Sequence, residues 1–276
     1  MSFQNAEVNL FKALSLIYPV LLDGHPCIAA VGGGGKTGLL FSLADSLADR
    51  GLRVALTTTT HIMDPRKENG RRFDRVVLGG ENAEAFGSLD PGITIIATGV
   101  NDATGQLLGI HPSRVAGLLL SYDAVLVEAD GSKRLPVKAP AAHEPVMPTC
   151  ATLVLGLVGL DCIGKPMDGR TVHRPEFFGP LVGCATGEPI TAIHLRALAA
   201  SPEGLFKGAP EGAIRVLVLN KADVLDEVEL ATVSAEFSSF PQARATVGMS
   251  AGFDAAILCS VRDARAHIIW SVPPVR

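Results

Sequence analysis

The chain has 276 residues, 24 Lys+Arg against 28 Asp+Glu for a net charge of −4, and 47% hydrophobic content. That is enough apolar material for a large globular core, without the clustered basic face that nucleic-acid binding requires, so no nucleic-acid partner is expected. The five cysteines (Cys27, Cys150, Cys162, Cys184, Cys259) are scattered, odd in number and free of any C-x-x-C pair, which excludes a disulfide framework and a zinc knuckle.

The N-terminus lacks a basic start followed by a long apolar run, and no stretch approaches the roughly 20 apolar residues of a membrane span, so a cytoplasmic protein is expected. Residues 5–18 place apolar side chains near a helical period. CIAAV is then a short apolar strand, GGGG a turn, and residues 36–51 an amphipathic helix stopped by Gly51. RVALTTTT, RVVLGG, ITIIATG and DAVLVEAD follow as strands, and TLVLGLVGLD and AIRVLVLNKAD repeat the theme of an apolar strand with a polar end. TAIHLRALAA and LDEVELATVSAEFSSF read as helices. Continuous apolar strands alternating with helices predict a doubly wound, mostly parallel α/β sheet of the P-loop NTPase type, in three layers. With no linker composition anywhere, residues 1–276 read as one domain, carrying an insertion over 132–185 where Pro and Gly are frequent.

The segment Ala30-Val31-Gly32-Gly33-Gly34-Gly35-Lys36-Thr37 lies between the first strand and the first long helix. Loop amides and a helix start converge on phosphate oxygens, Lys36 reaches the terminal phosphates, and the Thr37 hydroxyl holds Mg²⁺; Gly38 belongs to the same cradle. The strict pattern opens on glycine, where this chain has Ala30, so the loop is expected to leave the strand at Gly32. Glu128 and Asp130, two apart at the end of a strand, share one side and are both candidate Mg²⁺ ligands and catalytic acids. Thr58, Thr59 and Thr60 with His61 stand at another strand end, where hydroxyls sense a terminal phosphate, although threonines are also ordinary strand formers. Asn220-Lys221-x-Asp223 follows a strand directly. An aspartate there accepts the paired N–H donors of guanine, Asn220 serves the purine's other edge and the Lys221 stem covers the ring. Ser250-Ala251 is a candidate backbone contact to the base. GTP is therefore expected, with ATP as the alternative.

Together, VGGGGKT, TTTTHI, LVEADGSKRLPVKAPAAHEPVMP, GLVGLDCIGKP, VHRPE and LNKAD resemble, in this order, the YqeC family of selenium-dependent hydroxylase accessory proteins. The resemblance implies a P-loop protein acting in the maturation of a molybdenum hydroxylase with a labile selenium cofactor, the hydroxylase or a maturation protein being the client. Members similarly lack the opening glycine, and tend to carry a second Thr where this chain has Gly38. Glu128-x-x-Gly131 also looks like an element of GTPases that deliver metals to enzymes. Two other readings stay open: a phosphotransferase whose anionic acceptor is held by Lys133, Arg134, Lys138 and His173, and a nucleotide-gated selenium or sulfur carrier using Cys162. His143, Glu144, Cys162 and His173 have no diagnostic metal spacing. Self-association into a homodimer is left open.

Overall fold

The computed structural model describes residues 8–21, 24–68, 70–79, 90–238 and 252–271. After α1 (Leu10–Ile17), the chain enters β1 (Cys27–Gly32), α2 (Lys36–Ala48) and β2 (Arg53–Thr58). β3 (His61–Met63), β4 (Arg75–Leu78), β5 (Gly92–Ala97), β6 (Gly99–Val100) and β7 (Gln106–Leu108) follow, then α3 (Val115–Leu118) and β8 (Ala124–Glu128). The middle of the chain forms β9 (Val137–Lys138), β10 (Leu153–Gly159), β11 (Val172–His173), α4 (Pro175–Val182) and α5 (Ala192–Ala200). It closes with β12 (Ile214–Asn220), α6 (Glu227–Ser238), β13 (Ala255–Ser260) and β14 (Arg265–Ser271).

Nine strands form one sheet in the order β14-β13-β12-β10-β1-β8-β2-β5-β4. Every pairing in it is parallel except β13 with β14. Its central strands are apolar along most of their length because both faces are covered, and successive residues of one strand go to opposite cores. From β8, Ala124 and Leu126 join the cluster of α1 and α2, with Leu14, Leu39 and Leu43, while Val125 and Val127 join that of the opposite layer, with Val115, Leu195 and Phe237. The expected three-layer α/β/α arrangement is thus present, and burial of each such aliphatic side chain stabilises it by roughly 1.5–3 kcal/mol.

Two small sheets flank the main one: β3-β7-β6, and the pair β9/β11. The expected insertion over 132–185 is interrupted by β10, which lies against β1 in the middle of the large sheet. Irregular chain therefore comes as two excursions, 129–152 and 160–191, joined through β9 and β11. Because the segment after β1 packs on the α2 face and the helices after β10 on the other, a crevice opens at the carboxyl ends of β1, β8 and β10, where ligands of such sheets bind.

Candidate functional site

The glycine loop begins where the sequence places it. Ala30 is a mid-strand residue, fully buried and paired with Glu128 and Leu155, so a glycine there has no conformational task. The turn starts at Gly32 (φ +92), where a Cβ would lie 2.3 Å from the Leu157 carbonyl oxygen. At Gly34 (φ +73) a Cβ would lie 2.1 Å from the Gly159 nitrogen. No L side chain fits either position. Gly33 N donates to Leu157 O at 2.9 Å and Gly34 N to Leu135 O at 3.0 Å, while Gly32 N donates to both Asp130 oxygens at 3.2 and 3.1 Å. These three amides shape the loop from within. The amides available to an anion are those of Gly35, Lys36 and Thr37, which open α2 and have no intrahelical acceptor.

The two acids of β8 have different surroundings. Thr37 Oγ1 donates to Glu128 Oε2 at 2.7 Å. Glu128 is 7% exposed, and burial pushes its carboxyl above the ordinary range although Lys36 and Thr37 pull it down. Lys36 Nζ stands 3.9 Å from Glu128 Oε1 and 3.1 Å from Asp130 Oδ1, and donates to Gly32 O at 2.6 Å. Asp130 also meets Lys138 Nζ at 3.1 Å. With two lysines and the Gly32 amide around it, Asp130 braces the loop, and Glu128 is the acid beside the hydroxyl expected to hold Mg²⁺.

From Asp130 an alternating ionic chain runs outward. Lys138, 1% exposed at its side chain, donates to Gly131 O at 2.7 Å and pairs with Glu144 at 2.9 Å. Arg174 completes the chain by pairing with Glu144. Burial opposes ionisation of Glu144, but hydrogen bonds from Arg174 and Lys138 outweigh it and hold the carboxyl at about 2. Lys138 is thereby committed to two buried carboxylates, which removes it from the residues expected to hold an anionic acceptor.

Among the threonines, Thr58 is buried and donates through Oγ1 to Glu128 O at 2.8 Å, so it braces the two strands. Thr59 Oγ1 donates to Val146 O at 2.7 Å. Thr59 and Thr60 line a cleft of 1220 Å³ together with Gly35, Lys36, Thr37 and Glu128. The Asn220 amide is engaged within the protein: Nδ2 donates to Gly34 O at 2.8 Å, and Oδ1 accepts from Val261 N at 3.1 Å. It ties the glycine loop to the end of β13. Lys221 (φ +64) also lines the cleft and pairs with Asp161 at 2.7 Å. Asp223 lies on the next turn, 3.9 Å from the Arg262 guanidinium. Ser250 and Ala251 lie outside the described residues. Cys162 is fully buried, and burial with the Asp161 charge pushes its thiol up to about 12, which is unsuited to a carrier thiolate. Among the described residues, no three His, Cys, Asp or Glu side chains converge as a metal cage. A Mg²⁺ site of one carboxylate, one hydroxyl and substrate phosphates needs none.

Gly38 sits in the first turn of α2, where a Cβ would meet only the Arg71 guanidinium, at 3.9 Å. Gly38→Ala is therefore expected to stabilise the protein by roughly 0.5–1 kcal/mol, raising the midpoint of thermal unfolding by about 1–3 °C; a lower midpoint would contradict this packing.

A family model described as YqeC protein matches residues 28–176, from the start of β1 to the first turn of α4. The chain is also 34% identical over 196 residues to "Uncharacterized protein YqeC" of Escherichia coli (strain K12), an alignment covering 70% of this chain and 75% of that protein. The matched stretch contains the glycine loop, both acids of the β8 end and the ionic chain through Lys138 to Arg174, and on these matches the chain belongs to the YqeC family.

Proposed function

We propose that this protein is a Mg²⁺-dependent nucleoside triphosphatase with a preference for GTP, acting in the maturation of a selenium-dependent molybdenum hydroxylase. The observation that carries the nucleotide part is the convergence of Lys36, Thr37 and Glu128 at the first turn of α2. A buried lysine on a backbone carbonyl, next to free-standing helix-start amides, is poised to exchange that carbonyl for a phosphate oxygen. The fit to Mg²⁺ rests on Glu128, a buried carboxylate only partly compensated by Lys36. Thr37 and Glu128 would hold the ion, which when bound offsets the charge of the phosphates in the transition state. Thr59 and Thr60 face the same cleft and would orient the attacking water. The maturation role and the client hydroxylase rest on the family resemblance alone. Among the described residues, no helix is long and apolar enough to cross a membrane.

Base preference is the part of the reading that Asp223 carries. Calorimetric titration of the full chain with Mg²⁺-GTP and Mg²⁺-ATP is expected to favour GTP. Asp223→Asn should turn the preference toward xanthosine triphosphate, by about tenfold or more for a lost pair of charge-assisted hydrogen bonds. Absence of binding for every Mg²⁺-nucleotide would remove the whole proposal, and equal binding of GTP and ATP only its guanine part.

A further inference from the structure

The cleft extends well beyond the glycine loop. At 1220 Å³ it exceeds the roughly 300–1000 Å³ typical of a pocket for one small ligand. Besides Lys36, Thr37 and Thr60, its lining includes Lys133, Arg134, His143 and His173. Five lysine and arginine side chains line it against the three carboxylates Glu68, Glu128 and Glu144, a surplus of two positive charges within a chain of net charge −4.

The backbone marks the same end. Lys133 and Arg134 have φ values of +50 and +62, and Leu135 N donates to Ser132 O across them at 2.9 Å. They are the two central residues of a tight turn that ordinarily takes Asn-Gly or Asp-Gly. Two long cations in left-handed conformation cost stability, and they persist only where surrounding structure holds them. Here the turn is clamped on both sides, by Lys138 Nζ on Gly131 O at 2.7 Å and by Gly34 N on Leu135 O at 3.0 Å. Arg134 reaches only the Glu68 carboxylate, at 3.3 Å, and Lys133 has no ion-pair partner among the described residues. His173, also in the wall, is held below its ordinary value first by burial and then by the charges of Arg174, Lys138 and Lys133, with Glu144 opposing them.

We propose that this end of the cleft is a second ligand subsite, binding a small molecule through an anionic group, phosphate or carboxylate, on Lys133 and Arg134 beside His143 and His173. Its place near the terminal phosphate rests on the nucleotide reading above; anion binding itself does not.

The test is calorimetry on the full chain with Mg²⁺ and a saturating non-hydrolysable GTP analogue, titrating orthophosphate in one series and citrate in another. One-to-one binding of either anion is expected; orthophosphate alone identifies a phosphate ligand, citrate alone a carboxylate. The double variant Lys133→Asn with Arg134→Gly restores the residues that the turn prefers. It should unfold at the same or a higher temperature while binding the anion at least about tenfold more weakly. A nucleotide-free series in Lys36→Ala, which lacks the loop lysine, should retain the anion site and lose it when the two turn substitutions are added. That result would uphold the subsite even if no nucleotide binds at all. Failure of both anions to bind, or undiminished binding by the turn variant, would overturn it.

Discussion

Lys36→Ala is expected to weaken Mg²⁺-GTP binding by about 100-fold, the equivalent of one or two charge-assisted hydrogen bonds to phosphate, and to reduce phosphate release at saturating nucleotide further still. The reason lies in what Lys36 touches. The residue is 3% exposed and its ammonium rests on Gly32 O and Asp130, so the charge is desolvated before any ligand arrives, and a phosphate oxygen need only replace a neutral carbonyl. Loss of the lysine does not orphan Asp130, which keeps the Gly32 amide and Lys138. The variant should therefore fold, with a thermal midpoint lowered modestly. Glu128, already pushed up by burial, loses the cation that counteracts it and should move higher still, so residual binding in the variant should depend more steeply on pH than in the wild type. Calorimetry, a phosphate-release assay and thermal unfolding together decide the matter. Wild-type affinity in a folded Lys36→Ala protein would place the nucleotide elsewhere.

The parts of this site that could be read from sequence are those made by neighbours in the chain. Strand, glycines and helix follow one another between Cys27 and Ala48, and each announces itself by apolar run, backbone freedom or period. β13 (Ala255–Ser260) and β14, which pairs with it, are not among the strands read from the sequence, although the β13 run is apolar and largely buried. The rule fails for β3, β6 and β7, which have two or three residues each and show no period. Strand order is another matter. That β10 lies beside β1 is decided by packing between segments more than 120 residues apart, which no local pattern encodes. The same distance explains the reassignments within the site. Asn220 has the sequence context of a base reader, yet its partners are Gly34 and Val261, 186 and 41 positions away. Lys138 stands in PVKAP like an exposed cation, and only the fold shows it sealed between Asp130 and Glu144. Its one local hint is position: it is flanked by Val137 and Ala139, both fully buried.

Lys138→Met should be the most destabilising single change in the site, by about 3–4 kcal/mol, lowering the thermal midpoint by roughly 6–12 °C. Met matches the length of the stem, so little packing is lost and the effect isolates the charge. Replacing a whole buried ionic cluster by apolar groups is often neutral, but removing one member leaves the others desolvated and unpaired. Here Asp130 would retain Lys36 and Gly32 N, whereas Glu144 would retain Arg174 and the Ala141 amide, which is why the loss should fall toward the lower end of the range for buried pairs. The pH dependence gives the effect a signature. Glu144 titrates at about 2 in the folded protein against an ordinary value of 4.5. A depressed carboxyl contributes stability above the unfolded value, and that contribution is lost as the pH falls through the folded one. Between about pH 4.5 and 2 the wild type should therefore lose the part of its stability that the variant, lacking one of the two cations on Glu144, never fully had. The gap in unfolding midpoint between the two proteins should be widest at neutral pH and narrow by pH 3; a gap that is absent at pH 7, or that grows in acid, would show that Lys138 does not sustain the ionic chain.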